Sequence, residues 1–303
     1  VHEDVYQNKT YFFASDILKF KLDKYNVKRY QVSDSNEFPY LKPSAATKDV
    51  LTPYFTVQSN KPNIVILIVE SLGTEFVNGN SYSGFTPYLD KLISKSLYWE
   101  NFVSTAGRTF GVLPSLLGSL PFGDKGFLEI SKTPSHLSLF SILKRNGYTT
   151  SFYTGDDASF DNKINFLEYN EVDFIIDLNK YGPNYVKTPP SANGFSWGYP
   201  DAELYRKMLS TLDEKKNPRL DVLMTLSSHE PFTFPEKEIF DKKIDSMLNA
   251  ANAFTASKAD VISNKDLFSA LLYTDTSLEK FMTAYAQRDD YENTLFIITG
   301  DHR

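Results

Sequence analysis

Apolar residues fall along this chain in two rhythms. Unbroken runs form the first. Ile64 to Val69 is six consecutive apolar residues, nearly all β-branched, which predicts a strand buried on both faces, as in a parallel sheet covered by helices. Leu220 to Leu226 is strand-like, Asn293 to Thr299 reads as another buried strand, and Thr149 to Tyr153 and Val172 to Ile176 read as shorter strands. Helical spacing forms the second. Thr86 to Leu97 predicts a helix with Pro87 at its favoured first position. Val112, Leu113, Leu116, Leu117 and Leu120 predict another that begins at Thr109. His136 to Asn146 is stopped by Gly147. Further helices start near Asp201 and run from about Asp266 to Arg288 through Leu267, Leu271, Leu278, Phe281 and Met282, whereas residues 233–264 read as a loop-rich excursion. Strands alternating with helices predict a doubly wound α/β fold.

The first sixty residues differ. Tyr11, Phe12, Phe13, Ile17, Leu18, Phe20 and Leu22 predict an amphipathic helix ending near Tyr25, followed by an extended connector through Pro39, Pro43 and Pro53. The organisation expected is therefore 1–60 as helix and connector, and 61–303 as the main domain. With 303 residues, 41% of them hydrophobic, the chain can bury a sizeable core. A net charge of −6 argues against nucleic acid or an anionic membrane surface as main partner. Zero cysteines exclude disulfides, a thiolate zinc site and a cysteine nucleophile. No apolar run reaches the length of a membrane span, so neither a transmembrane helix nor a signal peptide is expected within the sequence. Val1 at the start, and Asp301-His302-Arg303 directly after the last strand, suggest a piece of a longer chain.

Chemistry gathers at the carboxyl ends of strands in open α/β sheets. The strand ends here present Glu70, His229 and the pair Asp301-His302. Thr109 stands where a helix should begin; free N–H groups there favour an anion, and Arg108 adds a full charge. Capping the helix is the ordinary use of a threonine at such a place, and Asp201 likewise reads as an N-cap or first-turn acid. Two carboxylates and an imidazole suit Mn²⁺, Zn²⁺ or Mg²⁺. A divalent cation beside Thr109 would lower the hydroxyl's pKa and make it a nucleophile, while Arg108 steadies a phosphoryl group. Asp156, Asp157, Asp161 and Asn162 read as a solvated loop, and His2 and His136 as surface histidines. Trp197 lies in a glycine-flanked loop, where it could stack on a substrate or cover the core.

The segments VESLG (Glu70), AGRTFGVLPSLLGSLP (Thr109), NGFSWGYPDAELY (Trp197, Asp201), TLSSHEPF (His229) and ITGDHR (Asp301, His302) together resemble the extracellular catalytic domain of the lipoteichoic acid synthase and phosphoglycerol transferase family, within the alkaline phosphatase and sulfatase superfamily. The resemblance implies an α/β sandwich whose central, mostly parallel sheet is flanked by helices on both faces. It implies that Glu70, Thr109, Asp301 and His302 hold one divalent ion, with Mn²⁺ the first expectation and Zn²⁺ or Mg²⁺ alternatives. Thr109 is then the catalytic nucleophile, and Arg108, Trp197 and His229 bind substrate. The expected partners are a phospholipid headgroup donor and a glycan or glycolipid acceptor, at an extracytoplasmic site, in a protein anchored by N-terminal membrane helices. After Trp197 the chain reads Gly198-Tyr199-Pro200, without the arginine lipoteichoic acid synthases tend to have, so a phosphoethanolamine-type headgroup stands beside a phosphoglycerol one. Sulfate or phosphate ester hydrolysis is the second reading, since Ser104-Thr-Ala-Gly-Arg108 loosely matches the sulfatase nucleophile signature. A domain that only binds a glycan is the third.

Overall fold

A computed structural model describes residues 50–55, 61–120, 135–250 and 252–302. The helix and connector expected before residue 50 lie outside the described residues. The chain divides into two compact units. The smaller contributes residues 50–55 and 135–137, with one 3-10 turn at Thr52–Tyr54. His136, read as a surface residue, is buried.

The larger unit runs β1 (Asn63–Val69), α1 (Pro87–Ile93), α2 (Leu139–Arg145), β2 (Thr149–Thr154), α3 (Lys163–Tyr169), β3 (Phe174–Ile176), α4 (Asp201–Thr211), β4 (Arg219–Met224), α5 (Lys237–Asn249), α6 (Lys258–Ser263), α7 (Lys265–Tyr285) and β5 (Thr294–Gly300). The strands form one five-stranded sheet in the order β3-β2-β4-β1-β5, and every pairing is parallel. Successive β1 side chains alternate between faces. Val65 and Leu67 pack with Leu89 of α1, Leu204, Tyr205 and Met208 of α4, and Leu278 and Phe281 of α7. Ile66 and Ile68 pack on the other face with Val112, Leu113 and Leu117, Phe140 of α2 and Phe166 of α3. Helices therefore cover both faces, which is why a run without polar interruption is the right sequence for β1. The register sets Ile68 against Met224 of β4 and Thr299 of β5, so the carboxyl ends of the three strands emerge level.

Three expectations are corrected. The 233–264 excursion contains α5 and α6, whose Phe240, Ile244 and Val261 join a third apolar cluster with Phe234 and Phe268. α1 ends at Ile93, four residues early. The run after Thr109 is a 3-10 turn, Thr109–Gly111, followed by a π-helical turn, Leu113–Leu117. Pro114 brings no N–H to an α-helical ladder, and the Ser115 hydroxyl bonds the Gly111 carbonyl instead, at 2.8 Å.

Candidate active site

The two apolar runs that were easiest to read deliver the acids. Glu70 is the residue after β1, and Asp301 the residue after β5. Their approach needs Gly300: a Cβ there would lie 2.0 Å from the Leu72 carbonyl oxygen, so any side chain would push the β5 end away from the loop after β1. The Ser71 N–H donates to Asp301 Oδ1 at 2.9 Å. Ser71 holds φ at 57° to do so, a left-handed backbone that costs a non-glycine residue energy and clusters at functional sites. On the other side the Glu70 N–H donates to Thr225 Oγ1 at 3.0 Å, tying β1 to the end of β4. Neither Ser71 nor Thr225 was singled out from sequence. A polar residue two positions after a buried strand and two before a glycine was the available signal for Ser71.

Thr109 does not cap a helix. Arg108 takes the N-cap position with extended backbone, and no side chain bonds the turn. The Thr109 hydroxyl instead donates to Glu70 Oε2 at 3.2 Å and lies 3.1 Å from His302 Nε2. His302 Nε2 is also 3.3 Å from Asp301 Oδ2. Glu70, Asp301 and His302 offer ligand atoms all within 4.8 Å of one another. Thus four side chains separated by up to 232 positions, Glu70 to His302, meet at one point. Arg108 is exposed beside them, with no ion pair among the described residues. Ser104, the residue a sulfatase signature would use, bonds the Ala106 carbonyl at 2.6 Å and lies 3.4 Å from the Asp301 carbonyl.

Electrostatically the cluster is unbalanced. Glu70 and Asp301 are 4% and 2% exposed. Burial and the adjacent Asp301 carboxylate push the Glu70 carboxyl up to about 8, because both penalise its charged form. Asp301 Oδ2 is buried with no hydrogen-bond partner. Native structures rarely leave such an oxygen alone. An orphaned carboxylate oxygen, a second buried acid, an imidazole and a hydroxyl together fit a hard-to-borderline divalent cation.

Trp197 and His229 form a second group. His229 lies in the turn after β4, its N–H bonded to the Leu226 carbonyl at 3.0 Å. Its ring stands edge-on to the Trp197 ring, centroids 4.7 Å apart. One acceptor serves both: the Glu230 carbonyl takes the Trp197 Nε1–H at 2.7 Å and lies 2.7 Å from His229 Nδ1. Phe160 and Phe195 also meet Trp197 edge to face. An open groove of about 610 Å³ adjoins, lined by Ser191, Asn193, Phe195, Glu230 and Thr233 among others. Asp156 and Asp157 are not part of either group. Asp156 pairs with buried Lys163 at 2.7 Å, and Asp157 accepts from the Ser159 N–H.

Residues 62–303 match the sulfatase family. The lipoteichoic acid synthase of Staphylococcus saprophyticus is 26% identical over 255 residues, which is 80% of this chain and 36% of that protein. The chain spans little more than a third of the length of the curated relatives it matches. Among solved structures, a protein in the alkaline phosphatase superfamily from Vibrio parahaemolyticus is similar at a TM-score of 0.63 and 25% identity, over 81% of this chain and 55% of that one. A lipoteichoic acid synthase of Listeria monocytogenes superposes at a TM-score of 0.65 and 23% identity, over 81% and 57%. These likenesses carry the α/β fold with its central parallel sheet between helices.

Proposed function

Because this chain belongs to the sulfatase family, we propose that it is the catalytic part of a metal-dependent phosphotransferase that moves a phosphoglycerol-type or phosphoethanolamine-type headgroup from a phospholipid to a glycan or lipid acceptor. The observation that carries the reading is the Thr109 hydroxyl, within hydrogen-bond reach of Glu70 and His302 and beside an orphaned Asp301 oxygen. Glu70, Asp301, His302 and the Thr109 hydroxyl would hold one divalent ion, Mn²⁺ first among Mn²⁺, Zn²⁺ and Mg²⁺. When bound, such an ion offsets the paired acids and lowers the pKa of the hydroxyl.

The rest falls to the chain's own side chains. Thr109 Oγ1 attacks phosphorus, a Thr109–phosphorus ester forms, and the phosphorus–oxygen bond to the lipid alcohol breaks. The threonine proton ends, in net terms, on the departing alcohol. An acceptor hydroxyl then attacks the phosphothreonine, its proton returning to Thr109, and ping-pong kinetics follow. Arg108, exposed and with no ion pair among the described residues, offers its guanidinium to the phosphoryl oxygens. Trp197 and His229 would bind the headgroup, His229 either positioning it or protonating the leaving oxygen. In the whole protein, N-terminal membrane helices would hold this part at the outer face of the cytoplasmic membrane. Among the described residues no helix is long and apolar enough to cross a membrane.

Incubation with phosphatidylglycerol or phosphatidylethanolamine and Mn²⁺, an acid quench and intact-mass analysis test this. The expected result is one headgroup phosphate ester, mapped to the peptide holding Thr109, with release of diacylglycerol. Turnover without an adduct, or turnover that survives Thr109→Ala, defeats it. Water in place of the acceptor makes the same centre a phosphodiesterase, in which case added acceptor alcohols leave the product unchanged. An oxidised Ser104 in the same spectrum would favour a sulfatase.

A further inference from the structure

The groups around Trp197 and His229 share one support that the chemistry above does not use. Asp201 is wholly buried. As the first residue of α4 it could serve its own helix, yet its carboxylate bonds elsewhere. Oδ1 accepts the N–H groups of Leu226 and Ser227, both at 3.0 Å. Oδ2 accepts the Thr274 hydroxyl of α7 at 2.7 Å. The Asp201 N–H donates in return to Ser227 Oγ at 3.0 Å, and Thr274 also meets the Ser228 hydroxyl at 3.1 Å.

The two amides that Asp201 grips open the turn whose Leu226 carbonyl takes the His229 N–H. In sequence, Asp201 follows Trp197 by four residues. Between them Tyr199 is pinned to the Gly155 carbonyl at 2.9 Å. A single carboxylate thus fastens the segment carrying Trp197 to the turn carrying His229, and both to α7. Charge-assisted bonds of this kind are about twice as strong as neutral ones, and an apolar surround strengthens them.

We propose that Asp201 is a positioning residue for substrate recognition: its buried carboxylate sets the mutual placement of the Trp197 and His229 rings. The proposal rests on the reading of that pair as the headgroup's contacts. Asp201 acts through His229 and touches no reacting atom.

The test uses the chain with Trp99→Phe, which leaves Trp197 as its only indole, and compares Asp201→Asn, Thr274→Val and His229→Ala. Asp201→Asn retains an acceptor for the two amides and replaces the acceptor facing Thr274 with a donor. Thr274→Val removes the same bond from the other side and guards against a folding failure at 201. The expected result is a shifted Trp197 emission in both variants, with native circular dichroism. With phosphatidylglycerol and Mn²⁺, KM is expected to rise about tenfold for Asp201→Asn and about threefold for Thr274→Val, kcat changing less. Placed on His229→Ala, Asp201→Asn should add less than a twofold further change, because residues acting through one another are not additive. Native Trp197 emission in both variants, or a full multiplicative effect on top of His229→Ala, overturns the proposal and leaves the phosphotransferase reading standing. Unimpaired turnover in His229→Ala overturns the proposal together with the reading of the ring pair it rests on, whereas the adduct on Thr109 judges the transferase reading separately.

Discussion

Opposite edges of the same sheet hold two buried charged clusters, and they are built differently. At the amino edge, Lys215 and Arg219 surround Asp221, with N···O distances of 2.8 and 3.2 Å, and Arg219 reaches Asp290 at 3.0 Å. Arg219 also donates to the Tyr285 hydroxyl at 2.8 Å and to Asn217, and Lys215 to Tyr153. Two cations thus meet two anions, Arg288 links the far oxygen of Asp290 to Asp213 at 3.0 and 2.8 Å, and neutral groups fill other valences. At the carboxyl edge, Glu70 and Asp301 are as deeply buried, yet no lysine or arginine pairs with either among the described residues. A hydroxyl, an imidazole and one backbone amide stand in, and Asp301 Oδ2, with only the His302 ring nearby, accepts no hydrogen bond among the described residues. Burial is common to both; neutrality is not. The first cluster is complete as it stands and serves the fold. The second has an excess of negative charge that no lysine or arginine among the described residues pairs with.

Three substitutions and a titration press on this contrast. The largest effect is expected for Thr109→Ala, a loss of roughly 10⁴-fold in kcat with circular dichroism unchanged, measured by headgroup release. Next comes Asp221→Asn, which strands Lys215 and Arg219. Urea unfolding should show a loss of about 3 kcal/mol, with Mn²⁺ retention in dialysis unaltered. Asp301→Asn should act in the opposite sense on the metal-free protein, stabilising it by roughly 1 kcal/mol because an uncompensated buried charge is removed, while the rise in Tm on adding Mn²⁺ disappears. A destabilised metal-free Asp301→Asn protein would erase the distinction between the two edges.

The smallest effect is on pH. The Glu70 carboxyl is pushed up to about 8 from its ordinary value of 4.5. In the metal-free protein its contribution to stability is therefore full below about 4.5 and is lost as pH rises through about 8. A cation binds the ionised form, so the Mn²⁺-induced rise in Tm should grow across the same window. Thermal melts with and without Mn²⁺ at a series of pH values read both slopes.

Much of this was legible in the sequence, for identifiable reasons. β1 and β5 announced themselves by unbroken apolar runs, and Glu70 and Asp301 follow from asking what stands after such runs. His229 came from the same question, Thr109 from an expected helix start and Trp197 from a glycine-flanked loop, and the order of their motifs along the chain then matched a family. Periodicity, however, says nothing about lateral neighbours. β1 lies between two strands and is buried, whereas β5, with a similar run, has one strand neighbour among the described residues and leaves Ile297 42% exposed. α5 and α6 were hidden by the flanking Pro231 and Pro235, although Phe240 and Ile244 stand four apart on one helical face. The π-helical turn at Leu113–Leu117 was hidden because its apolar spacing is nearly that of an α-helix. Asp201 was visible as a helix-start acid, but its partners at Leu226, Ser227 and Thr274 are distant in sequence and belong to tertiary structure.

The bare α-carbon at Gly300 has a reach beyond its own position. With the Leu72 oxygen so near, a single methyl group there would work as a wedge, prising one acid from the other without touching any atom that reacts. The spacing of the whole centre is thus gauged by a hydrogen atom, and an alanine at 300 would detune it from outside the chemistry.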